Sequence, residues 1–348
     1  MASPKATVSS GNIWVDGSFD MVHFGDIYQI REARKFGNSV VIGMYSDEDI
    51  MEITGRPPVF NRSERRRLLS GLKFVDKVVE NVPYKTSLST MNGHNCQYCA
   101  IEESLGSSER FSEVRKAGRF VTTRRAFEIS EEDITERVLD FHSAVQHNSA
   151  VHLPWQKNVF LATSETFKLL ANGAKPNPKD KVVYVCGTFD FFNIGHLAFL
   201  EKAKKLGDYM IVGVYADEDV VKSKGYHPIM SLYERVLSTF AYKPVDEVII
   251  GAPLSVTDEL IERFKIDVVV EGTVGSFHDE SHVAIPIKRG IYRHIESDSD
   301  VTTESVLQRI VESRSHDSAG QDVNDSTTCK NKSFDNVFKS QYPVEQLG

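Results

Sequence analysis

The apolar positions of this chain fall into short continuous runs separated by amphipathic stretches. Asn12–Asp16 reads as a strand. So does Ser39-Val40-Val41-Ile42-Gly43-Met44-Tyr45, which is apolar throughout, as a parallel strand covered on both faces must be. Val75–Val82 and His94–Ile101 read as further strands. Between them the spacing turns helical, from about Gly25 to Phe36 and from Arg62 to about Lys73. From Lys181 the order returns, with strands at Lys181–Val185, Tyr209–Tyr215, Glu247–Ile250 and Val268–Val270. Helices are entered near Gly195, Ser231 and Thr257. Strands alternating with helices predict parallel sheets with right-handed crossovers.

The recurrence keeps register. Val15-Asp16-Gly17-Ser18-Phe19-Asp20-Met21-Val22-His23-Phe24-Gly25-Asp26 returns as Val185-Cys186-Gly187-Thr188-Phe189-Asp190-Phe191-Phe192-Asn193-Ile194-Gly195-His196, an offset of 170 residues. The same offset pairs Gly43 with Gly213, Gly55 with Gly225, Pro58 with Pro228, Glu64-Arg65 with Glu234-Arg235, and Pro83 with Pro253. A shared register over roughly 70 residues marks a tandem duplication. The expected architecture is two tandem Rossmann-like α/β domains at 12–145 and 181–314, each a parallel sheet flanked by helices. A turn-rich linker, 146–180, joins them, and a polar tail, 315–348, is expected to lack fixed structure.

Composition narrows the class. The 348 residues suit two domains that each bury a core, and 41% hydrophobic with 26% charged residues is ordinary for a globular protein. A net charge of −8 without a long basic run argues against a nucleic-acid binder. Met1–Gly11 has no apolar run of signal-peptide length, and no window approaches a membrane span, so a cytoplasmic location is expected. Cys96, Cys99, Cys186 and Cys329 suggest no disulfide framework, and Cys96-Gln97-Tyr98-Cys99 lies in an apolar run that reads as packed core. Asp47-Glu48-Asp49 and Asp217-Glu218-Asp219 read as acids at helix N-termini, not as a metal cluster.

A tight turn between a parallel strand's carboxyl end and a helix start is suited to phosphate. Unpaired N–H groups and the positive end of the helix dipole face the anion there. A histidine at that helix start can donate to phosphate oxygens as charge develops, and one such donor is worth on the order of 2.7–4 kcal/mol to a transition state. A phosphorylated substrate brings its own nucleophile.

Gly-Thr-Phe-Asp followed by Asn193-Ile194-Gly195-His196 resembles the cytidylyltransferase family of the nucleotidyltransferase superfamily, whose motif is His-x-Gly-His. Pro57-Pro58-Val59-Phe60, Lys224-Gly225 before Pro228-Ile229-Met230, Glu247-Val248-Ile249-Ile250-Gly251-Ala252-Pro253, Lys288-Arg289-Gly290-Ile291 and Val301-Thr302-Thr303 extend the likeness over about 12–314. The resemblance implies transfer of CMP from CTP to phosphoethanolamine, giving CDP-ethanolamine and pyrophosphate for phosphatidylethanolamine synthesis, with Mg²⁺ neutralising the phosphates. It implies catalytic roles for His196, Asn193, His23 and Lys224. Nucleotide contacts would come from Gly187, Thr188, Phe189, Asp190, Gly195, Thr302 and Thr303, and from Gly17, Ser18, Phe19, Asp20, Gly25 and Arg125. A second copy of the chain, or pairing with an active relative, is the partner arrangement considered.

The departures from the family pattern sort the two halves. The first keeps His23 but has Asp26 in the second histidine's place. Its Arg-Thr-x-Gly-Val-Ser-Thr-Thr counterpart ends Ser130-Glu131-Glu132, and the fourth strand's His-Gly has become Ile101-Glu102. Carboxylates at Asp26, Glu131 and Glu132 would repel a triphosphate, so the first half is expected to be a poor CTP site. The second half has Asn193, expected to donate a hydrogen bond without charge, and keeps His196, Lys224, Thr302 and Thr303. Three functions follow: a cytidylyltransferase working from the second half or from a site shared between the halves; a weak or inactive family member that binds nucleotide or pairs with an active relative to regulate it; or a transferase with a changed substrate, such as another phosphorylated alcohol or an adenylyl group.

Overall fold

The computed structural model describes residues 11–124, 129–146, 164–171, 175–272 and 280–318. Two compact units divide the chain. The first runs to Glu131 and includes Ala241–Lys243, and the second holds Glu132–Phe240 and Pro244 onward.

The first unit carries a five-stranded parallel sheet: β1 (Asn12–Gly17), β2 (Ser39–Met44), β3 (Lys77–Glu80), β4 (Cys96–Glu102) and β5 (Phe120–Thr123), ordered β3-β2-β1-β4-β5. The second unit repeats it with β6 (Val182–Gly187), β7 (Tyr209–Tyr215), β8 (Glu247–Ala252), β9 (Val268–Gly272) and β10 (Tyr292–Ile295), ordered β10-β9-β6-β7-β8. The inner strands are buried along nearly their whole length, β7 at every residue, because helices cover both faces. In each sheet the chain builds outward from the first strand on one side, then crosses to the other. The ends of β1 and β4, and of β6 and β9, therefore flank the switch point where such sheets bind ligands.

The edge strands β5 and β10 carry no strand signal in the sequence. Each is only four residues long, and β10 exposes Arg293 and His294. The helix Glu131–Gln146 groups with the second unit from Glu132 onward. Its buried Arg137 donates from Nη1 to both Glu234 oxygens at 3.0 Å. The helix Thr303–Ser318 carries ordered structure four residues past the expected end of the second domain, and residues 319–348 lie outside the described residues.

Cys96, Cys99 and Cys186 are free thiols, the first two buried in the core. Cys329 lies outside the described residues. Asp47, Glu48 and Asp49 occupy the first turn of helix Asp47–Thr54, and Asp217, Glu218 and Asp219 that of Asp217–Lys224. Among the described residues no group of three His, Cys, Asp or Glu side chains is placed to hold a metal, and no helix is long and apolar enough to cross a membrane.

Candidate active site

The turn after β1 and β6 begins alike in both units, with Phe19 and Phe189 in the left-handed region at φ 50°. The second left-handed residue is Val22 (φ 34°) in the first unit and, one position earlier in register, Phe191 (φ 50°) in the second. Side chains with a Cβ cost about 1–3 kcal/mol in such conformations, so the surroundings must hold them. The strained residues are therefore the phenylalanines. Gly17 and Gly187 are required because the rings fold back to within 3.2 and 3.0 Å of where a Cβ would stand.

Two buried side chains supply the restraint. Asp20 accepts from the backbone N–H groups of Val59 and Phe60 at 2.9 Å, and Asp190 from those of Ile229 and Met230 at 2.7 and 3.0 Å. Arg65 and Arg235, both fully buried, clasp the turn from the other side. Arg235 donates to the carbonyls of Thr188 (2.5 Å), Tyr215 (2.8 Å) and Met230 (3.1 Å) and to Asp217 (2.6 Å). Arg65 repeats the bonds to Ser18, Tyr45 and Asp47. The retained Glu-Arg pair and the first acid of each acidic triplet thus shape the turn, and Asp20 and Asp190 tie it to the proline loop.

The helix starts beyond the turn are reciprocal capping boxes. In the first unit His23 Nδ1 accepts from Gly25 N–H at 3.0 Å, while Asp26 accepts from His23 N–H at 3.1 Å. In the second, Asn193 Oδ1 accepts from Gly195 and His196 N–H at 2.9 and 3.3 Å, and His196 Nδ1 accepts from Asn193 N–H at 3.2 Å. Each unit therefore displays one half of a His-x-Gly-His cap. Gly25 and Gly195 are glycines because the carbonyls of Ile129 and Val301 press on them, 3.2 and 2.0 Å from a Cβ position. That contact shifts the late register from 170 to 172, pairing Ser130 with Thr302 and Glu131 with Thr303.

The two units then diverge. Glu131 Oε1 accepts from Ser18 Oγ and from Asp20 N–H, both at 3.2 Å, so a carboxylate lies on the donors of the turn. Burial first, and the Glu131 charge second, push the Asp20 carboxyl up to about 7. Burial and the Asp26 charge raise Glu131 in turn. Asp26 itself lies against His23, 3.7 Å from Nε2. Glu132 does not face the turn, contrary to the expectation above. Its side chain is 79% exposed and pairs with Arg314 at 3.2 Å. Arg110 fills the space beyond, 3.3 Å from Asp16 and over the rings of Phe111, Tyr84 and Tyr45 at 4.3, 5.5 and 5.6 Å. Arg125 lies outside the described residues.

The second unit opens a cavity of about 140 Å³ at the same place. The N-termini of helices Ile194–Lys204 and Thr303–Ser318 both contribute to its wall. Thr302 caps the latter, accepting from Ser305 N–H at 3.2 Å, and Thr303 donates to the Asp190 carbonyl at 2.8 Å. Cys186 and Tyr215, counterparts of the occupied Asp16 and Tyr45, line the cavity, as does Lys224. Burial pushes Lys224 below its ordinary value, while Glu304 and Asp190 act against that. Phe141, from the helix that follows the first repeat, packs on Tyr226 at 5.9 Å and completes the wall, a contribution with no local sequence signal.

His196 sits between the rings of Phe189 and Phe192, with centroids 5.6 and 5.4 Å away. Burial, then the Lys224 charge, lowers it to about 4. It is neutral at pH 7, and its Nδ1 acceptor bond puts the proton on Nε2. Asn193 is fully buried and lines the cavity; its Oδ1 is engaged twice in the cap, and Nδ2 donates one of its two hydrogens to the Phe191 carbonyl at 3.1 Å.

Fold and site define a tandem nucleotidyltransferase. A cytidylyltransferase-like family model matches residues 14–160 and 184–286, and the chain belongs to that family. Its relatives include ethanolamine-phosphate cytidylyltransferases. The Mus musculus protein is 36% identical over 87% of this chain and 86% of its own length. The Dictyostelium discoideum protein is 33% identical over 87% and 91%. The Arabidopsis thaliana protein is 33% identical over 86% and 80%.

Proposed function

We propose that this chain transfers CMP from CTP to phosphoethanolamine, forming CDP-ethanolamine and pyrophosphate, and that the second unit is the working site. The observation that carries this is the contrast between the units. Two helix N-termini, His196 and Lys224 surround a cavity in the second, whereas Glu131 lies on the equivalent donors in the first.

A phosphate oxygen of phosphoethanolamine attacks the α-phosphorus of CTP. The new P–O bond forms as the bond to the bridging oxygen breaks, and pyrophosphate leaves with that electron pair. The protein holds the phosphates and stabilises the charge that moves between them. His196 does so as a neutral donor from Nε2, Lys224 as the cation, and the helix starts as partial positive charge.

Mg²⁺ fits this scheme as a passenger of the triphosphate. Among the cavity's carboxylates, Asp190 is engaged by two backbone N–H groups and Glu271 by His282 and Tyr292. These residues form no oxygen cage of the kind a hard cation prefers, and no step is assigned to a side-chain-held metal.

The replacement of the motif's first histidine by the uncharged Asn193 favours a second reading, in which the site binds nucleotide with little turnover and the chain regulates an active relative. Pyrophosphate release by the purified protein with CTP, phosphoethanolamine and Mg²⁺ separates the two. Turnover that His196→Ala abolishes supports the enzyme. Absence of turnover together with tight CMP binding supports the regulator.

A further inference from the structure

Glu271 lies near the end of β9 on the floor of the second unit's cavity, and the capping and clasping interactions make no use of it. Val185 pairs with Val270 across β6 and β9, which sets Glu271 beside Cys186, next to the start of the turn. Its two oxygens are held separately, one by His282 Nε2 at 2.7 Å and the other by Tyr292 Oη at 2.8 Å. These bonds fix the carboxylate's orientation and leave each oxygen a further acceptor position. The side chain is 17% exposed, and it lines the cavity.

The cavity is thus bipolar. Lys224, with the carboxylates of Glu304 and Asp190 acting on it, follows β7 on one side of β6, His196 and the helix starts stand over β6 itself, and Glu271, the last residue but one of β9, lies on the other side. Adjacent strands lie about 4.8 Å apart, and the two-carbon bridge between phosphorus and nitrogen in phosphoethanolamine spans a similar distance. In the first unit the matching strand position is Ile101, fully buried, since Trp14 pairs with Cys99 as Tyr184 pairs with Val269. The carboxylate is particular to the unit that has the cavity.

We infer that Glu271 receives the ammonium group of the phospho-amine, and so selects an amine over an uncharged phospho-alcohol, with His282 and Tyr292 as its positioning residues. This rests on the reaction proposed above. A charge-assisted hydrogen bond in an enclosed site discriminates strongly against a partner that lacks the charge.

The test is calorimetric titration of the full-length chain with CMP, CDP-ethanolamine and CDP-ethylene glycol, which carries a hydroxyl where the amine stands. The native protein is expected to prefer the amine by on the order of tenfold or more, the worth of one such bond. In Glu271→Gln, and in Glu271→Ile, which copies the first unit, the preference falls to within about threefold. A native protein without the preference overturns the inference, whether or not the variants fold. So does a Glu271→Gln protein that keeps it. CMP binding without amine preference overturns this inference alone, whereas failure of all three ligands to bind overturns the nucleotidyl-transfer reading as well.

Discussion

Asn193→His restores the first histidine of the motif, and the first unit shows how it would sit. His23 and Asn193 both have extended backbone, φ −85°, ψ 174° and φ −136°, ψ −179°. Imidazole Nδ1 can therefore accept from Gly195 N–H as it does from Gly25 N–H at 3.0 Å. The substitution loses the bond from Asn193 Nδ2 to Phe191 and the one accepted from His196 N–H, each worth about 1 kcal/mol. The larger ring in a fully buried position adds about 1 kcal/mol of overpacking or more. Against this, a second imidazole N–H facing the phosphates lowers the barrier by about 2.7–4 kcal/mol, or about 10²–10³ in rate. The expected variant is less stable by about 2–3 kcal/mol and at least tenfold faster in kcat. Pyrophosphate release under saturating CTP and phosphoethanolamine measures the gain, and chemical unfolding measures the loss. A folded Asn193→His protein that binds CMP as the native chain does, with kcat within about threefold of native, refutes the idea that one missing donor limits this site.

Three further outcomes follow from the same geometry. His196 lies below its ordinary 6.5, at about 4, so the unfolded chain takes up a proton that the folded site refuses. Stability is lost as pH falls from 6.5 towards 4, by about 2 kcal/mol at pH 5; a His196 ring resonance, assigned by its loss in His196→Ala, that titrates near 6.5 in the folded protein contradicts this. Glu131→Gln keeps both acceptor bonds but removes a charge facing Asp20 and Asp26. The Asp20 carboxyl should titrate below its present value of about 7, and stability at pH 8 should rise by on the order of 1 kcal/mol. Carbon-detected NMR of Asp20 decides it, and an unmoved titration counts against a Glu131 charge at the turn. Arg235→Lys cannot reach three carbonyls and Asp217 at once, so it should cost about 3 kcal/mol and loosen the turn, weakening CMP binding. A variant as stable as native would show that the clasp is dispensable.

The duplication, the parallel strands and the strand-turn-helix motif were legible in the sequence, because periodicity and register are local properties repeated at a constant offset. The inner strands announce themselves through apolar runs that two helical layers must cover. The edge strands Phe120–Thr123 and Tyr292–Ile295 do not, since four residues are too few for a periodic pattern to stand out from the flanking polar chain. The tertiary structure alone decided which acids matter at the turn. Glu131 and Glu132 are neighbours in sequence, yet one turns inward onto Ser18 and the other outward to Arg314, because successive side chains at a helix start point about 100° apart. It likewise decided that Asn193 serves as the helix cap, with its Oδ1 engaged twice. It brought Phe141 to the second unit's wall, and it set Glu271 in a cavity that His196, Lys224 and two helix starts also line. Residue type records what a side chain can donate or accept. Which of those bonds are already satisfied depends on partners that packing brings from a hundred residues away.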